Sequence, residues 1–327
     1  PLIPDDVEFL KPGRGYTGGR EFFINYRNEV VRVIPESDEQ KSNAGINALP
    51  KSFELAFCNF IVGASHLFKQ THRNAPISML VHSSFKNDLQ SKYEFLVKQY
   101  LRSMREQADL KNSYFGGILE SERTRLYSLG IEQLTDEDFW ESVQFTLREL
   151  TIWLVNSASD VKTIKWNDAP FHVLIGGNKL DRGFTVEGLT VTYMNRPSSP
   201  QIDTLEQRAR AFGYRTNLVP YCQFFATAKT VKTLTDIVHT EDDLRASLRD
   251  YLESGRDVRT WVREIGLLLP AGALATRKTV TPALTYFNPE GVWQNLRRPK
   301  TDTASQTLNW DIAGEYGLFD SPLVNFG

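Results

Sequence analysis

The spacing of apolar and polar positions predicts strands alternating with helices over most of the chain. EVVRVI (29–34) reads as a short strand, followed by a polar loop at 35–45. Residues 48–70 (ALPKSFELAFCNFIVGASHLFKQ) carry apolar side chains at helical spacing and predict a largely buried helix. ISMLVH (77–82) is a short apolar run after a proline, a buried strand, and it leads through Ser83 and Ser84 into a helix at 86–107. Residues 108–133 read as irregular. A helix restarts at 135–151, where Thr135 with Asp138 three residues on has the form of an N-terminal cap. Further strands are expected at 152–157, 171–177, 189–195 and 220–227, with helices at 201–212 and 229–253. A short helix follows from about 256, and the proline- and aromatic-containing remainder has no assignable pattern.

Several of these strands are continuous apolar runs without period-2 alternation. Strands of that kind, alternating with helices, predict an α/β fold with a parallel sheet covered on both faces. The lead-in at 1–28 is rich in turn chemistry (KPGRGYTGGR), and no internal repeat or low-complexity tract is present.

Composition narrows the function classes only slightly. The chain is 41% hydrophobic and 24% charged, as globular proteins are, and its 327 residues suffice for a large core. A formal net charge of −2 provides no global argument for nucleic acid, although a local basic groove is compatible with a balanced total. Cys58 and Cys222 both lie in apolar runs and read as buried, reduced thiols, which favours a reducing compartment. No apolar run approaches the roughly 20 residues of a membrane helix. The start at Pro1 rather than methionine suggests a fragment of something longer.

Two segments carry candidate chemistry. The first, IGGNKLDRGFTVEGLTV (175–191), ends a strand at Gly176-Gly177 and continues through Asn178, Lys179, Asp181, Arg182, Gly183 and Thr185. Loops at the carboxyl ends of parallel strands are where doubly wound folds bind ligands. Glycines let backbone N–H groups approach a phosphate, and Lys and Arg add charge-assisted hydrogen bonds. A plain strand-to-turn connection has the same composition. The second segment, DTLEQRARAFGYR (203–215), places Gln207, Arg208 and Arg210 on a helix closed by Gly213-Tyr214-Arg215. A guanidinium aimed at a γ-phosphate neutralises charge that develops in phosphoryl transfer. A solvated basic face paired with Glu206 and Asp203 is the structural alternative.

Taken in order, strand, GGNKLDRGFT, strand, TLEQRARAFGYR, these segments resemble motifs V and VI of superfamily 2 helicase-like motors, and most closely the Z1 domain. The sharp part of the resemblance covers 175–215. APISMLVHSS (75–84), YTGGREFF (16–23) and the ALPKSFELAF helix extend it outward. Asp181 stands where the family pattern has Ser, and Ala209 where motif VI usually has Gly.

The resemblance implies a RecA-like parallel sheet flanked by helices, the C-terminal lobe of a helicase-like ATPase. Residues 1–45 would be a lead-in from an N-terminal ATPase lobe. Residues 46–255 would form the Z1 domain with a helical insertion at about 84–165, and 256–327 a C-terminal extension. It implies that Arg210 and Arg215 are the motif VI arginines, with Arg210 on the γ-phosphate and Gln207 positioning them. Asp181, Arg182, Gly183 and Thr185 would belong to the nucleotide side of the motif V loop, and Asn178 and Lys179 to its nucleic-acid side. Ser83 and Ser84 would contact the phosphate backbone, which hydroxyls and backbone N–H groups hold without reading sequence. The implied cofactors are ATP and Mg²⁺, bound mainly by the N-terminal lobe. The implied partners are that lobe, double-stranded DNA and a nuclease subunit, in the bacterial cytoplasm, as a DNA translocase of an ATP-dependent restriction or other phage-defence system.

Other features limit this reading. No G-x-x-x-x-G-K-S/T run and no acidic box after an apolar strand occur, so the chain alone is not expected to hydrolyse ATP. A non-catalytic module docking DNA or a nuclease, with a degenerate nucleotide cleft, is the alternative. A small-molecule enzyme built on the 175–185 loop lacks a His, Cys or carboxylate constellation. The histidines at 66, 72, 82, 172 and 239 show no metal-ligand spacing, and no metal site is expected. Pro4-Asp5 with Glu39 and Lys41 imitates a nuclease signature in a polar loop and reads as coincidence. The charge-alternating run 239–257 reads as a solvated helix face.

Overall fold

A computed structural model describes residues 7–11, 13–39, 45–71, 75–84, 86–156, 164–177, 180, 186–195, 213–214, 216–264 and 307. Its centre is a six-stranded sheet in which every neighbouring pair is parallel. The strands are β2 (Val31–Ile34), β3 (Ile77–His82), β4 (Leu150–Val155), β5 (Phe171–Gly176), β6 (Leu189–Met194) and β8 (Gln223–Thr227), in the order β2-β8-β6-β3-β5-β4. A separate antiparallel pair joins β1 (Tyr16–Thr17) to β7 (Gly213–Tyr214). The chain is thus an α/β fold of the RecA-like kind, with a parallel sheet flanked by helices.

Every position of β3, β5, β6 and β8 is buried, whereas the edge strands β2 and β4 are partly exposed. This is why the inner strands read as unbroken apolar runs: both of their faces are covered. On one face lie α2 (Lys51–Thr71), α3 (Asn87–Arg105), α4 (Tyr114–Ser128) and α5 (Asp136–Glu149). They pack on Ile77, Met79, Val81, Phe171, Val173, Ile175, Val191 and Tyr193. Residues Ala56 to Leu67 of α2 are all buried, because α4 and α5 cover the side of this helix turned away from the sheet.

The other face is covered in two parts. α6 (Ala228–Glu253) and the lead-in residues Phe22 and Phe23 pack on Met194, Phe224 and Ala226. Phe23 meets Phe224 edge to face at 5.4 Å. Next to them, Leu180, Val186, Trp153 and Trp166 cover Leu80, Leu174 and Val155. A further helix, α7 (Val258–Glu264), contacts α6.

Several sequence expectations shift in detail. Residues Arg27–Val30 form a short helix (α1) and only Val31–Ile34 pair as a strand. β4 begins at Leu150, directly at the end of α5. Residues Thr216–Tyr221 form a 3-10 turn before β8. The largest correction is α4, which lies within the stretch expected to be irregular. Ser113 caps it, its side chain accepting from the Gly116 N–H at 3.2 Å. Its apolar periodicity is weak because Gly116 and Gly117 interrupt it; packing on α2 forms it, through Leu119, Leu126 and the buried Glu122, which accepts from Asn59 Nδ2 at 2.6 Å. The Thr135 cap of α5 is as expected: Thr135 Oγ1 accepts from the Asp138 N–H at 3.1 Å and donates to its carboxylate at 2.8 Å. The helix expected at 201–212 lies outside the described residues. No described helix is long and apolar enough to cross a membrane.

Candidate functional site

Connections leave neighbouring strands toward opposite faces at one place on the carboxyl edge of the sheet. After β3 the chain passes to α3, whose Tyr93, Val97, Leu101 and Met104 lie on the α2 side. After β5 it passes to Leu180 and Val186, which pack on the opposite side before β6 begins. β3 and β5 are hydrogen-bonded neighbours, so the crevice between their ends is a topological switch point, the usual ligand position in open α/β sheets.

Ser83 and Ser84 follow β3 at this point, and Gly176-Gly177 ends β5 beside them. Ser83 is 2% exposed, and its hydroxyl has no hydrogen-bond partner among the described residues. Ser84 is also buried; its hydroxyl accepts from the Lys86 N–H at 3.2 Å, turning the chain into α3. Contact between the Ser83 hydroxyl and a phosphate strand therefore requires this turn to open.

Close packing requires both residues of the glycine pair. A Cβ on Gly176 would lie 2.2 Å from the Val155 carbonyl oxygen and 2.8 Å from the Leu180 side chain. On Gly177 it would lie 2.4 Å from Gln90 Nε2 and 2.9 Å from the Ser84 carbonyl oxygen.

Three residues not singled out from sequence complete the edge. Gln90, 2% exposed in the first turn of α3, donates from Nε2 to the Ser84 carbonyl at 2.8 Å. Asn195, just after β6, continues the pairing with β3 through its N–H to the His82 carbonyl at 3.2 Å. Its Nδ2 also donates to the Asp38 carbonyl at 2.8 Å. The Asp38 carboxylate accepts from the Ser52 N–H at 2.8 Å, placing negative charge at the N-terminus of α2, where the helix dipole favours it. Below them Phe53 packs edge to face on Tyr93 and on Tyr193, at 5.3 and 5.2 Å. Tyr193 OH and Ser52 Oγ lie 2.9 Å apart. Burial pushes the Tyr193 hydroxyl well above the usual phenol range, so it acts as a neutral hydrogen-bonding group. The only sequence signal for Gln90 was a polar residue facing inward on an otherwise apolar helix stripe.

The second candidate segment is described only at its end. Gly213 and Tyr214 pair with Thr17 and Tyr16, which joins the lead-in to the described end of this segment. Asn178, Lys179, Asp181, Arg182, Gly183, Thr185, Gln207, Arg210 and Arg215 lie outside the described residues. Among the described residues no group of three His, Cys, Asp or Glu side chains converges to hold a metal ion.

The Z1 domain family model matches residues 52–266, which takes in the sheet from β3 to β8, the switch-point crevice and both candidate segments. The chain belongs to the Z1 domain family. No curated protein and no solved structure matches it. In this Z1 domain the matched region begins at the second residue of α2, so β1 and β2 are supplied from before it.

Proposed function

We propose that this Z1 domain is the second lobe of a helicase-like, DNA-dependent ATPase, a translocase subunit of a bacterial ATP-dependent restriction or phage-defence system. One observation carries the reading: the GGNKLDRGFT segment leaves the sheet at the switch point between β3 and β5, and the TLEQRARAFGYR segment follows within the same family-matched unit. On this reading Arg210 and Arg215, positioned by Gln207, face a triphosphate held with Mg²⁺ by a facing lobe. Asp181, Arg182, Gly183 and Thr185 serve the nucleotide side. Asn178, Lys179, Ser83 and Ser84 serve a DNA backbone. A nuclease subunit does the cutting. The sequence carries neither a phosphate-binding-loop signature nor an acidic box, so on this reading binding of the phosphates falls to the facing lobe.

A second reading, a DNA- or nuclease-docking module without turnover, draws on the burial of the Ser83 hydroxyl. Hydrolysis of ATP by the full-length protein, with and without duplex DNA, separates the two. Under the motor reading DNA stimulates hydrolysis. Arg210→Ala then lowers the stimulated rate on the order of 10³-fold while ATP binding persists. Wild-type hydrolysis in that variant removes Arg210 from the role, and no hydrolysis by the unaltered protein leaves the docking module.

A further inference from the structure

A cavity of about 780 Å³ opens between the lead-in and the far half of α6. Phe9, Lys11 and Tyr16 line it from the lead-in, and Val238, Arg245 and Arg249 from α6. α6 starts at the carboxyl end of β8 and runs back across the sheet, packing Val231, Leu234 and Ile237 on Phe224 and Cys222. At 1.5 Å per residue, its residues 241–249 lie about 20–32 Å along the helix, whereas β8 spans only about 17 Å. That stretch therefore reaches past the amino ends of the strands, and the cavity is separate from the crevice at their carboxyl ends.

The charges on its walls are unevenly engaged. Glu21 Oε2 accepts from the Gly18 N–H at 2.8 Å, and Asp242 pairs with Arg20. Lys11 and Arg245 have no hydrogen bond or ion pair among the described residues. Arg249 stands over the Phe9 ring, 5.2 Å from its centroid, which engages the face of the guanidinium and leaves its N–H groups for a ligand. Among the described residues, Glu241 is the one lining carboxylate left to oppose these three cations. The Tyr16 ring lies against Gly18, where a Cβ would come within 3.1 Å of it, and the residue is 41% exposed. Two guanidinium groups one helical turn apart, with an ammonium group from the other wall, suit a phosphate better than a single carboxylate. Phe9 and Tyr16 beside them supply flat apolar surface for a ring, and the volume is that of a small-molecule site. We infer that this cavity binds a nucleotide unit, a phosphate joined to a planar base, either free or within a single strand. The motor reading is not needed for this, since there the triphosphate and the duplex meet other residues.

The test titrates the full-length protein with AMP, adenosine, inorganic phosphate and a short oligothymidylate, read by calorimetry and by fluorescence anisotropy of a labelled strand. AMP or the strand should bind at least about tenfold more tightly than adenosine or phosphate alone, because each of these lacks half of the contacts. A strand preferred over AMP identifies the single-stranded source, and the reverse identifies the free nucleotide. Replacing both α6 cations, Arg245→Ala with Arg249→Ala, should weaken that binding at least about tenfold. Glu241→Gln should tighten it about two- to fivefold by removing the opposing carboxylate. Should the double variant not fold, Lys11→Glu on the other wall carries the test, with weaker binding expected. Binding of AMP and of the strand that neither the double variant nor Lys11→Glu alters overturns the proposal, as does adenosine bound as tightly as AMP. Absence of ATP hydrolysis by the unaltered protein sinks the motor reading alone and leaves these titrations to decide the cavity.

Discussion

Burial holds His66 and His172 neutral, and their hydrogen bonds fix which ring nitrogen carries the proton. His66 Nε2 lies 2.7 Å from the Glu132 carbonyl, which only accepts, so that nitrogen carries the proton and Nδ1 accepts from Tyr221 OH at 3.1 Å. His172 Nδ1 accepts from Trp153 Nε1 at 3.0 Å, and its Nε2 donates to the Ala169 carbonyl at 2.8 Å. Burial is the leading cause that lowers both imidazoles below their usual range. Above about pH 6.5 each is neutral folded and unfolded, and its contribution to stability is complete. Below that, the unfolded chain binds protons that the folded chain refuses, and stability falls until pH passes the lowered folded values. Each histidine contributes a slope of at most about 1.4 kcal/mol per pH unit. The lowered carboxyls of Asp109, Asp136 and Asp138 titrate beneath this window. Urea unfolding at stepped pH measures the slope, and stability that is flat between about pH 7 and 5 contradicts it. The same desolvation pushes the Cys58 thiol up to about 12, so this buried cysteine is an inert core residue, as its apolar setting in sequence implied.

At the scale of elements, α4 shows how neighbouring glycines differ. A Cβ on Gly116 would lie 2.0 Å from the Lys111 carbonyl oxygen and 2.5 Å from that of Leu110, whereas a Cβ on Gly117 meets nothing within 4 Å. Gly117→Ala should therefore stabilise the fold by about 0.5–1 kcal/mol, the ordinary gain of alanine over glycine in a helix. Gly116→Ala should destabilise it by about 2 kcal/mol, because backbone must move to admit the methyl. Denaturant midpoints of the two variants check both signs, and equal shifts would mean that the turn at 110–113 yields freely. The helices with clear periodicity, α2, α3, α5 and α6, were legible in sequence to within a few residues. α4 was not, because its apolar side chains are too few to make a stripe and its helix depends on the surface that α2 offers.

For the whole molecule, the family-matched region is not the whole folding unit. β2 lies at the edge of the sheet against β8, in register from Val31 with Phe224 to Ile34 with Thr227. Gln223 Nε2 donates to the Glu29 carbonyl, and Arg32 Nε donates to Gln223 Oε1 at 3.2 Å. Phe22, Phe23, Val30 and Ile34 are all nearly fully buried. Each such side chain is worth about 1.5–3 kcal/mol of burial, against total stabilities of about 5–15 kcal/mol. A chain beginning at Gly45 should therefore lose most of its stability and expose Met194, Phe224 and Val231. Size-exclusion chromatography and circular dichroism test this; a monomeric chain from Gly45 with a cooperative melt would show that the lead-in only rests on the surface.

The amino-acid order by itself determined which segments are buried strands, which helices bury a stripe, and which short runs concentrate glycine, lysine and arginine, because burial and local backbone preference are written in spacing and residue type. It also carried the Z1 family resemblance, through 175–215. Tertiary structure alone decided the strand order and the pairing of Tyr16-Thr17 with Gly213-Tyr214. It also decided that Gly177 is a glycine because Gln90 and Ser84 occupy the space of its side chain. Periodicity states that a side chain must be covered and does not state by what; that partner is chosen only when distant segments compete for the same surface.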